Sequence, residues 1–206
     1  MPVKLNGATS GGVTLDVPAV AGTNTLTLPA RTGTVITSAD SATVTQAMLA
    51  GNVAGNGPSF SINLSSAQTV SNSVATKAQL NSEEFDFGGC YNNTASTATL
   101  NGLSVPAYAF MPNVAGYYQI NGSVNMTAST SATVGYVALN KNGTEYKRGQ
   151  QLNFVSGNCN VFGAAISTIV YLNGSTDYVE LAGYIGGSGT LQFASAWMNG
   201  YLARSA

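Results

Sequence analysis

From Ser59 to the C-terminus the chain alternates apolar and polar side chains with a period of two, in short runs separated by turn-forming residues. A strand sends successive side chains to opposite faces, so this pattern demands sheets with one buried and one wetted side. The clearest run is Tyr117-Tyr118-Gln119-Ile120-Asn121-Gly122-Ser123-Val124-Asn125-Met126. It puts Tyr118, Ile120, Val124 and Met126 on one face and Gln119, Asn121, Ser123 and Asn125 on the other. Val134-Gly135-Tyr136-Val137-Ala138-Leu139 follows, then Asn142-Gly143, a strong hairpin signal because both residues tolerate positive φ. A second such turn is predicted at Asn173-Gly174, between strands over 166–172 and 178–181. The last strand spans Ala196 to Leu202. Many short strands at even spacing indicate an all-β sandwich or jelly roll.

Charge narrows the functional classes. Only 7% of the 206 residues are charged, where about a quarter is usual. Seven basic side chains face eight acidic ones, a net charge of -1. Without a basic field there are no counterions to release, which excludes binding to nucleic acid through its phosphates. Histidine is absent, and with it the commonest general base, metal ligand and pH switch. Ser, Thr, Asn and Gln must hydrate the surface, which suits a durable particle-bound protein or an oligomer that hides much of its area. The two cysteines, Cys90 and Cys159, make either one bridge or two buried free thiols. The N-terminus has no apolar signal core, and no run approaches the roughly 20 apolar residues that span a bilayer. The expectation is synthesis in a cytoplasm and no membrane partner.

Texture divides the chain into three. In residues 1–37, Val13, Leu15 and Val17 alternate with polar residues, as do Leu26 and Leu28, between Gly and Pro punctuation. These are too few to make a core, so the segment must pack on copies of itself or on another protein. Residues 38–57 form a connector, with a helical turn or two in Thr43–Ala50 and a Gly/Asn-rich end. Residues 58–206 form the main domain.

No pattern of residues announces catalysis, a metal or a cofactor, and the expectation is a protein that is not an enzyme. Glu83-Glu84-Phe85-Asp86 is the single acidic cluster. Paired carboxylates serve glycoside hydrolysis or bind calcium, but charges also guard strand edges, and the edge reading is favoured. Trp197, Tyr201, Tyr118 and Phe110 either line a ligand groove, since aromatic faces grip sugars, or fill a core or subunit interface. In period-2 strands the second reading is favoured.

Four segments carry a family resemblance. Phe110-Met111-Pro112-Asn113-Val114-Ala115-Gly116-Tyr117-Tyr118-Gln119-Ile120 resembles the hallmark of complement-type and tumour necrosis factor-like globular heads, an aromatic, a short loop, then Gly-x-Tyr-x-apolar. Leu139-Asn140-Lys141-Asn142-Gly143 resembles the hairpin that follows. Asp177-Tyr178-Val179-Glu180-Leu181 resembles the Asp-x-Val strand, and Trp197-Met198-Asn199-Gly200-Tyr201-Leu202 the closing strand. Ile120 stands where Phe is commoner and Met198 where an aromatic is commoner. The resemblance covers residues 58–206 and implies a tumour necrosis factor-like jelly roll that assembles as a homotrimer. Tyr118, Ile120, Trp197, Met198 and Tyr201 would then contribute to the core or the trimer interface.

Residues 6–37 resemble a segment recurrent in virion proteins of tailed phages, through Asn6-Gly7-Ala8-Thr9-Ser10-Gly11-Gly12-Val13-Thr14-Leu15, Pro18 to Pro29 and Thr32-Gly33-Thr34-Val35. Together the two resemblances imply a phage structural protein located in the virion. The leading expectation is a trimeric capsid decoration, or cement, protein. Val13, Leu15, Val17, Leu26 and Leu28 would anchor it to the major capsid protein or another virion protein, and the knob would project. The alternative is a short tail fibre whose knob recognises a host surface glycan or protein.

Overall fold

A computed structural model describes residues 3–6, 9–15, 57–154 and 159–206. The chain divides into two units, Met1–Thr43 and Val44–Ala206. In the first, β1 (Val3–Asn6) pairs antiparallel with β2 (Gly12–Leu15), with Val3 opposite Leu15 and Asn6 opposite Gly12. Val13 and Leu15 therefore lie on a paired strand, whereas Val17, Leu26, Leu28 and the connector over 38–56 fall outside the described residues. The partner strand β1, Val3-Lys4-Leu5-Asn6, alternates apolar and polar residues over only four positions.

The second unit is built around one long strand. Beyond the short strands β3 (Ser59–Asn63), β4 (Gln68–Val70), β5 (Thr76–Lys77), β6 (Ser82–Phe87), β7 (Tyr91–Asn92), β8 (Ala98–Leu100), β9 (Leu103–Val105) and β10 (Ala109–Phe110) comes β11 (Gly116–Lys141). It is followed by β12 (Thr144–Asn153), β13 (Cys159–Leu172), β14 (Val179–Ser188) and β15 (Leu191–Ser205). Residues 116–128 of β11 pair with β13 on one side and β15 on the other. Residues 131–141 pair with β14 and β12. Register shifts around 127–134 mark the bend that carries the strand from one sheet to the next. The first sheet thus runs β6-β3-β15-β11-β13, and the second β12-β11-β14 with β5 and β10 on the far side of β14 and β7 beyond β10. The chain passes from the first sheet to the second along β11, makes a hairpin into β12, and returns to the first with β13. It then crosses to β14 and back to β15. That is the strand path of an all-β jelly roll, the fold class expected from the sequence.

The core lies between the sheets, and its composition follows from the pleat. Tyr118, Ile120, Val124 and Met126 are all fully buried, and Met198 and Leu202 meet them from β15. Phe60 stacks on Phe110 with ring centroids 4.3 Å apart and on Tyr91 at 5.4 Å, and Phe110 meets the edge of Tyr118 at 5.5 Å. This ring cluster ties β3, β7, β10 and β11 together. A lesser cluster of Val105, Ala109 and Met111 packs with Leu100, Leu103 and Tyr178. Cys90 is a buried free thiol and Cys159 a half-buried one. Burial pushes the Cys90 thiol above its ordinary value.

The turns show what dipeptide signals decide and what they leave open. Asn142 (φ 54°) and Gly143 (φ 77°) close the two-residue hairpin between β11 and β12, with Lys141 opposite Thr144. Asn101 (φ 49°) and Gly102 (φ 77°) do the same between β8 and β9. Asn173-Gly174 does turn, with Gly174 at φ 73°, but it makes no hairpin, because β13 and β14 belong to different sheets. The Asn173 side-chain oxygen accepts from the backbone N–H groups of Ser175, Thr176 and Asp177 and so folds the chain into an arch between the sheets.

Asp177 locks this arch to the neighbouring hairpin. It accepts from Asn142 Nδ2 at 2.8 Å and pairs with Lys141 Nζ at 2.9 Å. Burial alone would raise the Asp177 carboxyl, but the bonds from Asn142 and Lys141 outweigh it and hold the group below its ordinary value. A carboxyl lowered in the folded state contributes stability that is present above the unfolded value of about 3.9 and is lost as pH falls through the folded one. Acid titration of the melting temperature should therefore show a fall below about pH 4 that is shallower in Asp177→Asn. An identical acid profile in the variant would remove Asp177 from the linkage.

Candidate functional site

The outer face of the first sheet is where the protein presents itself. Because core residues on β11, β13 and β15 point inward, their alternates stand in rows across the outside. One row runs Phe87, Ser59, Tyr201, Gln119, Ile169. The next runs Phe85, Ser61, Asn199, Asn121, Ser167, and a third runs Asn63, Trp197, Ser123, Ala165. Tyr117 and Tyr171 form a cross-strand pair at one end, ring centroids 5.3 Å apart.

The central row is a polar ladder. Asn121 Nδ2 donates to Asn199 Oδ1 at 3.0 Å, and Ser167 Oγ donates to Asn121 Oδ1 at 2.8 Å. Gln119 Nε2 donates to Asn121 Oδ1 at 3.1 Å and to Ser167 Oγ at 3.0 Å. Aromatic and apolar side chains flank it. Trp197 is 40% exposed, Tyr201 52%, Ile169 54% and Val161 63%, values that leave most of one sheet face without a covering layer.

The acidic cluster lies at the margin of this face. β6 is the end strand of the first sheet, which matches the strand-edge reading of Glu83, Glu84 and Asp86. A register shift between Ser61 and Ile62 turns Glu84 toward β3. There its carboxylate accepts from Ser61 Oγ at 2.7 Å and from Asn63 Nδ2 at 2.9 Å. The Ser61 and Asn63 bonds hold the Glu84 carboxyl below the ordinary glutamate range, so it is ionised at neutral pH. Asp86 Oδ2 accepts from the Tyr91 backbone N–H at 2.8 Å. Among the described residues no three His, Cys, Asp or Glu side chains gather as a metal-ligating set.

Tyr118, Ile120 and Met198, expected in the core or at a trimer interface, are wholly inside the sandwich. Phe110 is there too. Trp197 and Tyr201 stand on the outer face instead, bordering two adjoining depressions that share Ser61 and Asn199. Ser61, Asn63, Asn121 and Asn199 escaped the sequence reading as site residues. The signal was present in Ser59-Phe60-Ser61-Ile62-Asn63, a strict alternation whose polar half faces out.

The molecule is thus an all-β jelly-roll head preceded by a small β hairpin unit. No family model matches it, and no curated protein matches it. Solved structures do resemble it. The globular domain of zebrafish complement 1qA protein is 12% identical, with 72% of this chain and 99% of that one covered and a TM-score of 0.46. Eiger TNF from S. frugiperda is 11% identical over 72% and 95%, with a TM-score of 0.42. The PRD1 vertex protein P5 is 14% identical over 70% and 96%, with a TM-score of 0.41. At such identities and scores these likenesses say nothing about activity, partner or assembly. No helix among the described residues is long and apolar enough to cross a membrane.

Proposed function

We propose that the protein is a non-enzymatic structural component of a tailed-phage virion, a homotrimeric capsid decoration protein. The observation that carries the reading is the uncovered outer face of the first sheet, above all its β11–β13 end. Tyr117, Tyr171, Ile169 and Val161 are exposed there, on and beside the 14-residue strand β13, which among the described residues ladders only with β11, while Lys141 and Tyr146 donate to its Tyr171 and Ile169 carbonyls. A chain with 7% charged residues has little else to keep such a face and strand edge soluble. A closed ring of three copies would cover both. The resemblance of residues 6–37 to recurrent phage virion segments supports a division of labour in which that segment anchors and the knob projects.

Light scattering of the purified chain should give three times the chain mass, and a single-chain mass at working concentration would end the trimer reading. Labelled protein added to particles should decorate the whole head surface. Label confined to the tail would favour a short fibre. Removing residues 1–37 should leave a trimeric knob that no longer attaches, and undiminished decoration by the truncated chain would place the anchor in the knob.

A further inference from the structure

We infer that Glu84 of one copy pairs with Lys147 of the next at each seam of the trimer, and that this pair sets a head-to-tail direction for the ring. The pair depends on the closed ring of three proposed above. Charge in the knob is unevenly placed. Among the described residues, Lys77 pairs with Glu180 at 2.6 Å, Lys141 with Asp177 at 2.9 Å and Arg148 with Glu145 at 3.0 Å. These pairs leave over Glu83, Glu84 and Asp86, all on β6, and two cations, Lys147 on β12 and Arg204 on β15. Asp86 is engaged by the Tyr91 backbone N–H, whereas Glu84 stands on the outer face and lines a depression with Ser61, Asn63, Trp197 and Asn199. β6 is one end strand of the first sheet and β13 is the other. Lys147 belongs to the β13 flank. Its Nζ lies 5.8 Å from the centre of the Tyr146 ring, and the Tyr146 hydroxyl donates to the Ile169 carbonyl of β13 at 3.5 Å. Surplus charge thus stands at the two ends of one sheet, negative at β6 and positive at β13.

Symmetry gives this arrangement a direction. A twofold contact repeats one patch on both copies, so joined β6 ends would set carboxylates against carboxylates, and joined β13 ends would set Lys147 against Lys147. Like charges so placed repel. A head-to-tail contact lays the β13 end of one copy on the β6–β3–β15 end of the next, joins opposite charges and closes as a ring. The apolar surfaces match as well. Tyr146, Ile169 and Tyr171 are exposed at the first end, and Phe85, Trp197 and Tyr201 are exposed around two adjoining depressions at the second. Glu84 is also prepared for a cation. Ser61 Oγ and Asn63 Nδ2 each donate to a different oxygen and hold the carboxylate in place, but both are neutral and leave its charge uncompensated. The two groups stand at nearby heights on the sheet. Tyr146 keeps Lys147 near the level of Ile169, which shares a cross-strand row with Tyr201. The Ser61–Asn199 row beside Glu84 is the next one, about 6.6 Å away at 3.3 Å per residue. A lysine side chain spans that step when the ring axis runs along the strands. Arg204 lies seven positions beyond Trp197 on β15, about 23 Å along the strand, which is too far from Glu84.

Charge reversal and cross-linking of the full chain test the pair. Trimer dissociation is followed by sedimentation on dilution. Glu84→Lys and Lys147→Glu should each raise the dissociation concentration about ten-fold or more, because each sets like charges together at every seam. The double variant, Glu84→Lys with Lys147→Glu, restores opposite charges and should recover most of that loss. Glu84→Cys and Lys147→Cys are then made, singly and together, in a Cys159→Ser background and treated with bismaleimidoethane. Cys90 is buried and stays out of reach. The chain carrying both substitutions should give covalent dimers and trimers on a denaturing gel, and each chain carrying one should run as a monomer. Three results overturn the pair. One is a trimer unweakened by either reversal, and another is a double variant no stronger than the weaker single one. The third is cross-linked dimers from Glu84→Cys alone, which would mean that β6 ends meet across a twofold axis. Any of these with a trimeric parent overturns the pair and leaves the trimer reading standing, whereas a single-chain mass for the parent ends both.

Discussion

Phe110→Ala should lower the stability of the knob by about 3–5 kcal/mol, the cost of deleting a buried aromatic from a core that collapses only partly around the hole. Phe110 has no exposed surface, stacks on Phe60 at 4.3 Å and meets Tyr118 at 5.5 Å. It sits on a two-residue strand whose register places it opposite both Tyr91 of β7 and Val179 of β14. Little backbone pairing holds β10, so its place in the sheet depends on this side chain. At roughly 2–4 °C per kcal/mol for a domain of this size, the melting temperature should fall by on the order of 10 °C. Phe110→Leu keeps most of the volume and should cost less, about 1–2 kcal/mol. If denaturant titration put Phe110→Ala within 1 kcal/mol of the parent, the ring cluster would not be part of the core.

The same ring cluster shows what a sequence discloses. Tyr118 is legible because it belongs to a ten-residue alternation, and strands of that length advertise their buried face. β4, β5, β7 and β10 are two or three residues long, too short for any period to show. They are strands because a longer neighbour offers its edge, as β15 does to β4 and β14 does to β5. Tertiary pairing creates them, and local propensity does not. Turn signals are similarly one-sided. Asn-Gly specifies a reversal with positive φ, which Asn142-Gly143 and Asn101-Gly102 use in hairpins. It does not specify that the flanking strands pair, and at Asn173-Gly174 they part into opposite sheets.

The candidate site was legible in half of its parts. Aromatics and the acidic cluster stand out in the sequence, but Trp197 and Tyr201 stand there beside Tyr118 and Phe110 as core or interface candidates, and Glu84 as a strand-edge charge. Their shared neighbourhood does not stand out. Glu84 and Trp197 are far apart in the chain and come to border one depression because β3 lies between β6 and β15 and a register shift turns the carboxylate toward β3. A period-2 pattern also cannot say whether an aromatic belongs to the buried or the outer set when the strand carries apolar residues on both. Trp197 and Met198 are adjacent and both apolar, yet Met198 is fully buried and Trp197 is 40% exposed. The phase is fixed by Ala196, Met198 and Leu202, which pack against β11 from inside.

Gly174 and Gly143 share nearly the same backbone conformation, φ 73° and 77°, yet substitution should cost very different amounts. Any side chain in this left-handed region carries about 1–2 kcal/mol of strain. At Gly143 that is nearly the whole effect, because a Cβ would meet only the Tyr178 hydroxyl, at 3.4 Å. At Gly174 a Cβ would lie 2.5 Å from the Ala115 nitrogen and 2.8 Å from the Val114 carbonyl carbon. Those are backbone atoms and cannot swing aside. The Val114 carbonyl also accepts the Tyr118 hydroxyl at 2.8 Å, so a shift there pulls on the core. Overpacking of this kind adds about 1–3 kcal/mol to the strain. Gly174→Val should therefore lose about 2–5 kcal/mol, against about 1–2 for Gly143→Val. The alanine variants sharpen the comparison, since the Cβ itself makes the clash and Gly174→Ala should be nearly as damaging as Gly174→Val. Equal melting temperatures for Gly174→Ala and Gly143→Ala would mean that the arch between the sheets does not press on residues 114–115, and the crossing from β13 to β14 would have to take another path.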